Sequence, residues 1–186
     1  MKDNKKDTVK RHNKLLMELF LYLVIIILGI VIVPKFLLQR IIVDGSSMES
    51  TLHTDESVLI EKVSVRMKAL KRFDIVVFYP YGPKVDKYYI KRIIGLPGER
   101  VRISDGRIYI NGALLEEHYG KEELISYAGT ASEEIVLGED EYFVLGDNRE
   151  VSQDSRYTSV GNVKRKNITG RVLFRIWPLS VLGTVN

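Results

Sequence analysis

The feature that most constrains this chain is an apolar run near its amino end. Residues 15–33 read LLMELFLYLVIIILGIVIV, 19 residues with a single charged side chain, Glu18. As a helix this run extends about 28 Å at about 1.5 Å per residue, close to the roughly 30 Å of the hydrocarbon core of a bilayer. The sequence therefore predicts a membrane-spanning anchor over residues 15–35.

Two other interpretations of the apolar run fit the sequence less well. A cleaved secretory signal peptide has a shorter apolar core followed by small residues, whereas here Pro34-Lys35-Phe36-Leu37-Leu38 follows. A buried helix of a soluble protein carries a polar stripe, and residues 19–33 have none. We therefore expect the run to act as an anchor.

The distribution of charge predicts the orientation of that anchor. The chain has a formal net charge of +4, and residues 1–14, with six basic and two acidic residues, account for all of it. Because Lys and Arg beside a span stay in the cytoplasm, residues 1–14 are expected to form a cytoplasmic tail and residues 36–186 one extracytoplasmic domain. Charges in that domain balance, so membrane lipid is an expected partner and nucleic acid is not.

Downstream of the anchor, the apolar pattern changes from helical to strand-like. Asp105-Gly106 and Asn111-Gly112 are candidate hairpin turns, because these residue types accept positive φ. Residues 113–141, with several acidic pairs, are predicted to be a solvated surface excursion. The fold class is predicted to be mainly β, with one N-terminal helix. Runs rich in β-branched and aromatic residues between turn signals predict strands at 57–63, 74–79, 88–94, 100–104, 107–110, 142–145 and 171–176.

Small hydroxyl residues follow the anchor, in the stretch Val43-Asp44-Gly45-Ser46-Ser47-Met48-Glu49-Ser50-Thr51-Leu52. The chain has no cysteine, so thiol catalysis is excluded and a serine of this stretch is the candidate nucleophile. Ser47 lies 13 residues beyond Pro34, within about 43 Å of the bilayer even if the connection is fully extended. The residues alone do not distinguish Ser46 from Ser47.

Serine requires a base, and the histidines of this chain are poor candidates. His12 lies in the predicted cytoplasmic tail, His53 follows the serine stretch too closely for an easy hydrogen bond back to it, and His118 lies in the irregular excursion. A lysine is the alternative only when it is desolvated, because an exposed lysine has a pKa near ~10.4 and is protonated at neutral pH.

Lys91 is the candidate lysine. Within the predicted strand 88–94, a period of two directs Lys91 and Arg92 to opposite faces, so at least one of the two cations faces apolar residues. Burial of an ammonium without a counter-ion lowers its pKa and gives a neutral amine that accepts a proton. The alternative is a lysine at a sheet edge with its head in water, and the pattern leaves both interpretations open.

Three boxes of this sequence, taken together and in this order, resemble the conserved boxes of the type I (bacterial, Ser-Lys) signal peptidases. The resemblance implies a signal-peptidase-like β domain in a membrane-bound serine endopeptidase that removes signal peptides, with no cofactor and no metal. The short length and single anchor are similar to the Gram-positive form of the family. The boxes are Gly45-x-Ser47-Met48-x-x-Thr51-Leu52, Tyr89-Ile90-Lys91-Arg92-Ile93-Ile94-Gly95-Leu96-Pro97-Gly98-Glu99 and Gly146-Asp147-Asn148-Arg149-x-x-Ser152-x-Asp154-Ser155-Arg156.

The resemblance also implies individual roles. Ser47 is the nucleophile, Lys91 is the general base, and Ser152 is the hydroxyl that hydrogen-bonds and orients the lysine. The backbone N–H of the nucleophile forms the oxyanion hole. Gly45 stands where some members add a hydroxyl donor, so this chain lacks that side-chain donor. Charged supports around the site are expected at Asp147, Arg149, Asp154 and Arg156.

Two residues depart from the family's pattern. Ser50 stands where the family usually has proline, and Phe73 stands where it usually has glycine. The loss of proline frees φ after the nucleophile, and a misplacement of about 1 Å can cost about 100-fold in rate. Signal-peptidase-like proteins of pilus assembly diverge at these boxes, so a pilus assembly factor that acts without proteolysis is the alternative function.

The resemblance implies partners of one chemical kind. They are secreted preproteins, or pilin subunits under the alternative, with small residues at the first and third positions before the cleavage site. Such a segment is expected to bind as an added strand against the sheet.

Overall fold

The computed structural model describes residues 2–67, 70–82, 85, 87–122 and 124–185. The chain divides into two units, Met1–Gln39 and Arg40–Asn186. In the first unit, helix α1 spans Lys2–Ile32 and is followed by a π-helical turn over Val33–Leu37. Met1 of the predicted tail, and the side chains of residues 2–10, lie outside what is described.

The apolar run lies within α1. Residues Arg11–Leu37 are long and apolar enough to cross a membrane, and the most apolar part of this segment is not buried within the protein. Large apolar side chains such as Phe20 and Ile30 are 66% and 69% exposed. A helix with apolar side chains on every side is typical of a segment that lipid surrounds.

The second unit is built from antiparallel strands in two sheets. A short helix, α2, spans Val63–Met67. The strands among the described residues are β1 Leu38–Ile42, β2 Ser57–Glu61, β3 Ile75–Phe78, β4 Tyr89–Gly95, β5 Arg100–Ser104, β6 Arg107–Ile110, β7 Ala113–Leu114, β8 Ile135–Val136, β9 Glu141–Leu145, β10 Val163–Lys164, β11 Ile168–Trp177 and β12 Gly183–Thr184.

The larger sheet has the strand order β1-β2-β11-β3-β4-β9-β10, with β12 beside β11, and the smaller sheet has the order β7-β6-β5-β8. Strand β4 lies in the interior of the larger sheet. Its Lys91 is opposite Val76 of β3, and its Ile93 is opposite Val144 of β9. The predicted fold class, mainly β with one N-terminal helix, is confirmed.

The larger sheet is buried on both faces around β3 and β4. All four residues of β3 are buried, and so are the last six residues of β4. Complete burial of an apolar side chain, such as those of β3, stabilises the folded state by about 1.5–3 kcal/mol relative to leaving it exposed. Three apolar clusters form the core, and they are represented by Val43, Met48, Leu52 and Ile60; by Val101, Ile108, Phe143 and Leu145; and by Val76, Phe78, Ile93 and Val144.

Each predicted strand is present, with ends that differ by a few residues. The largest difference is at β11, which begins at Ile168, three residues before its predicted start. Strand β2 ends two residues early, at Glu61, because the chain turns into α2 at Val63. Both predicted hairpin turns are confirmed, since all four central residues have positive φ, between 50° and 81°. The prediction missed β1 and the two-residue strands β7, β8, β10 and β12, which are too short to show a period.

The prediction of a solvated excursion over residues 113–141 is wrong in part. This stretch contributes β7, β8 and the start of β9. Ile125, Ala131 and Leu137 are buried in the cluster that joins the two sheets. These apolar residues, which stand singly between acidic pairs in the sequence, pack against the face of the smaller sheet. No local sequence pattern predicts this contact.

Candidate active site

The serine stretch forms a turn between β1 and β2. Gly45 has φ of 97°, a conformation that residues with a side chain rarely adopt. After Ser47, the N–H groups of Thr51 and Leu52 both donate to the carbonyl of Met48, each at 2.8 Å. Because Met48 and Leu52 are buried in the core, the part of the turn that follows Ser47 is held in place.

The structure brings Ser47 and Lys91 together. The Nζ atom of Lys91 lies 2.6 Å from Ser47 Oγ and 3.0 Å from the carbonyl oxygen of Ile90, and it lies 5.2 Å from the centre of the Tyr89 ring. Lys91 is 3% exposed, so the interpretation as a solvated sheet-edge lysine is wrong. Ser47, rather than Ser46, is the serine that contacts the amine.

Burial sets the proton affinity of this amine. Desolvation lowers the pKa of Lys91 to about 8, although the charges of Asp154 and Asp147 act in the opposite direction. A neutral amine, with its lone pair at hydrogen-bond distance from Ser47 Oγ, can accept the hydroxyl proton. The three histidines are exposed, so Lys91 is the basic group that this site holds in contact with the serine.

Ser152 lies at the site without the contact that the resemblance implied. Its Oγ is buried and has no hydrogen-bond partner among the described residues. A Cβ atom at Gly146 would overlap both Ser152 Oγ and the carbonyl oxygen of Ser47. Ser152 therefore packs across Gly146 from Ser47, while Lys91 Nζ hydrogen-bonds to Ser47 and Ile90 instead.

A fully buried ion pair supports the site from the other face of β4. Arg92 donates to both carboxylate oxygens of Asp147, from Nε at 3.0 Å and from Nη2 at 2.8 Å. Thr51 donates its hydroxyl to the same carboxylate at 2.5 Å. The pair thus joins β4, the turn after Ser47, and the loop 146–156.

The loop 146–156 is held by charged side chains and contacts Ser47. Asp154 accepts from Arg156 Nε at 2.8 Å and from the N–H of Gly146 at 3.1 Å. The N–H of Asn148 donates to the carbonyl of Ser47 at 3.1 Å. The predicted supports Asp147, Arg149, Asp154 and Arg156 are all buried in or beside this loop.

Two carboxylates of residues 113–141 bind the loop 146–156. The sequence did not predict these contacts. Glu117 pairs with Arg149 at 2.8 Å, and Glu122 accepts from the N–H of Arg149 at 2.8 Å. Burial acts to raise the pKa of Glu117, but the hydrogen bond and charge of Arg149 outweigh it and hold that pKa below its usual value. The acidic pairs gave no signal, because carboxylates with distant partners look like solvated ones in sequence.

Phe73 has a backbone conformation that glycine adopts readily. Its φ is 72°, in the left-handed region, which costs a side-chain-bearing residue about 1–3 kcal/mol. Its carbonyl accepts from Arg92 Nη1 at 3.0 Å, and its ring lies 4.9 Å from the ring of Tyr119. Tyr119 in turn covers the guanidinium of Arg92, at 3.7 Å.

A cavity of about 310 Å³ opens beside the Ser47–Lys91 contact. One wall comes from the turn after β1 and the other from the start of β4. It is large enough for a small side chain and the adjoining backbone. Its lining residues are Val43, Asp44, Gly45, Ser47, Met48, Lys87, Tyr88, Tyr89, Ile90 and Lys91.

Comparisons with known proteins find signal peptidases among the relatives of this chain. A crystal structure of a signal peptidase I from Enterococcus faecalis is 39% identical and aligns with 56% of this chain and 97% of its own, at a TM-score of 0.45. A probable signal peptidase I-2 of Synechocystis sp. is 38% identical over 164 residues, which is 86% of this chain and 71% of that protein. Signal peptidase I of Bacillus licheniformis is 33% identical over 181 residues, 94% of this chain and 95% of that protein.

The names of these relatives give no support to the pilus-assembly alternative. The family model described as "Signal peptidase, peptidase S26" matches residues 16–177, which include every residue of the site described above. With that match and the identities to the two sequence relatives, the chain belongs to the signal peptidase family, peptidase S26.

Proposed function

We propose that this protein is a membrane-bound serine endopeptidase that removes signal peptides from translocated preproteins, with Ser47 as nucleophile and Lys91 as general base. The observation that carries the assignment is a buried lysine whose Nζ lies 2.6 Å from Ser47 Oγ. A lysine in this environment is a base near neutral pH, which an exposed lysine is not.

In the proposed mechanism, neutral Lys91 takes the proton of Ser47 as Oγ attacks the carbonyl carbon of the scissile bond. The backbone N–H of Ser47 stabilises the oxyanion, and Gly45 adds no side-chain donor. The Lys91 ammonium then protonates the leaving amine, which gives an acyl-enzyme. Water, deprotonated by Lys91, hydrolyses the ester and regenerates the serine.

Residues of the loop 146–156 have proposed supporting roles. Asp147, Arg149, Asp154 and Arg156 hold the loop against the nucleophile through buried charge-assisted hydrogen bonds. Ser152 Oγ, buried and unpartnered within the described chain, is the proposed acceptor for the ammonium that forms on Lys91. An unpaired buried hydroxyl is costly, so the added hydrogen bond favours the protonated intermediate.

We also propose the membrane arrangement that the sequence predicts. Residues 1–14 form a cytoplasmic tail, residues 15–35 cross the cell membrane once in contact with lipid, and residues 36–186 form the extracytoplasmic peptidase domain. An anchored enzyme meets preproteins whose signal segments are in the same bilayer, which raises their effective concentration. The cavity beside Ser47 fits preprotein segments with small residues before the cleavage site.

Cleavage of a purified preprotein by the detergent-solubilised full chain tests this function. Wild type and Ser46→Ala are expected to release the mature protein, whereas Ser47→Ala is expected to lose about 1,000-fold or more in rate, because the attacking oxygen is gone. N-terminal sequencing of the product checks the cleavage site. The proposal fails if Ser47→Ala cleaves like wild type, or if Ser46→Ala is the inactive variant.

The pH dependence of kcat/KM is expected to report Lys91. Activity should rise from acidic to alkaline pH and reach half of its maximum near pH 8, because the pKa of the amine is lowered to about 8 and only the neutral form accepts a proton. Initial rates on a fluorogenic peptide between pH 5 and 10 provide the measurement. A midpoint near ~6.5, the ordinary value for histidine, contradicts the lysine assignment.

A further inference from the structure

The edge strand β1 leads into the turn that forms one wall of the cavity beside Ser47. It lies at one end of the larger sheet, next to β2. The N–H of Val43 donates to Glu56 O at 2.8 Å, and its carbonyl accepts from Asp55 N at 2.9 Å, so both groups of Val43 face the β2 side. Backbone groups alternate along a strand, so the carbonyl of Ile42 faces the other way, along the free edge.

Tyr88 occupies that acceptor. Its hydroxyl donates to the carbonyl oxygen of Ile42 at 2.9 Å, across 46 residues of chain. Tyr88 directly precedes β4, lines the cavity that holds Ser47 and Lys91, and packs its ring against the apolar cluster that contains Val43. The phenol therefore bridges the two walls of the cavity.

We propose that Tyr88 is a latch across the substrate cleft, whose hydroxyl occupies the Ile42 carbonyl that an incoming preprotein strand requires. This inference rests on the proposed function, in which the substrate adds as a strand to the free edge of β1. A carbonyl oxygen has a second lone pair, but the Tyr88 hydroxyl reaches Ile42 O from the free edge of β1, where the substrate strand would lie, and it has to move aside for that strand. The ring stays against the core and remains a wall of the cleft.

The latch has a kinetic signature. If substrate binds only enzyme molecules in which Tyr88 has released Ile42, the apparent affinity equals the intrinsic affinity multiplied by the fraction of such molecules. Tyr88→Phe removes the hydroxyl but keeps the ring, so KM should fall by about three- to ten-fold, the effect of one hydrogen bond of typical net strength. The contact between Lys91 and Ser47 is unchanged, so kcat and the pH profile should stay as in wild type.

Two peptides separate the latch from other effects. A long peptide, with several residues before the cleavage site, reaches the edge of β1. A short peptide, cut back to the residues next to the cleavage site, does not reach it. Tyr88→Phe in the full chain is expected to lower KM for the long peptide only. Tyr109→Phe, a half-buried tyrosine on β6 of the smaller sheet, is the matched control and should change neither KM.

Binding gives an independent readout. In the Ser47→Ala background, adding Tyr88→Phe should tighten the equilibrium Kd of the long peptide by the same three- to ten-fold. An unchanged or higher KM or Kd for the long peptide, an equal effect on both peptides, or a reduced kcat would overturn the latch. If Ser47→Ala is inactive while Tyr88→Phe matches wild type, only the latch fails; an active Ser47→Ala overturns the proposed function instead.

Discussion

Replacing Lys91 with methionine is expected to lower kcat/KM for a preprotein by about 10,000-fold, the usual cost of removing a member of a catalytic nucleophile–base set. Methionine has a similar length but no amine, so the proton of Ser47 has no acceptor at 2.6 Å. Single-turnover cleavage at high enzyme concentration measures the residual rate.

Stability separates a catalytic role of Lys91 from a structural one. Burial of the amine is unfavourable for its charged form, as its lowered pKa shows, so an apolar replacement should leave the free energy of unfolding unchanged or raised. Lys164→Met, at an exposed lysine on β10, is the matched control and should keep full activity. A Lys91→Met enzyme that cleaves at the rate of this control would contradict the mechanism.

The second large effect is expected at the buried ion pair. Arg92→Met should lower the free energy of unfolding by about 3–5 kcal/mol, because the carboxylate of Asp147 would remain buried without its counter-charge. Both side chains of this pair are 0% exposed. Urea unfolding of the full chain in detergent, followed by circular dichroism, measures the change.

An exposed pair provides the comparison for Arg92→Met. Arg100 and Glu134 lie 3.5 Å apart, with side chains 62% and 43% exposed, so Arg100→Met should cost less than about 1 kcal/mol. Replacing both partners, as Arg92→Met with Asp147→Leu, should recover part of the lost stability because no charge is left unpaired. Equal losses for Arg92→Met and Arg100→Met would show that the buried pair has no special role.

Much of the fold could be predicted from patterns that are local in the chain. Strands such as β4 and β11 carry runs of β-branched and aromatic residues, and the turn at Asp105-Gly106 requires its residue types. Strand β10 has two residues and forms only because β9 is beside it. Short strands of this kind are defined by their partners, so no local period reveals them.

For the site, the pairing of Ser47 with Lys91 could be predicted from the sequence, but the burial of Lys91 could not. The boxes that resemble the family placed Ser47 and Lys91 together, and the structure has them in contact. Pattern alone left the exposure of Lys91 open, because its burial depends on β3 and β9 lying on both sides of β4. The contact of Glu117 with Arg149 joins positions far apart in sequence, and only the folded chain shows it.

Phe73 bears on how divergent homologues of such enzymes are sorted. Loss of an expected glycine raises the question of whether the chain has lost its chemistry. Here phenylalanine adopts a left-handed backbone conformation, its ring packs against the ring of Tyr119, and its carbonyl accepts a hydrogen bond from Arg92. A pseudoenzyme should therefore be diagnosed by loss of the amine or the hydroxyl, and not by the absence of that glycine.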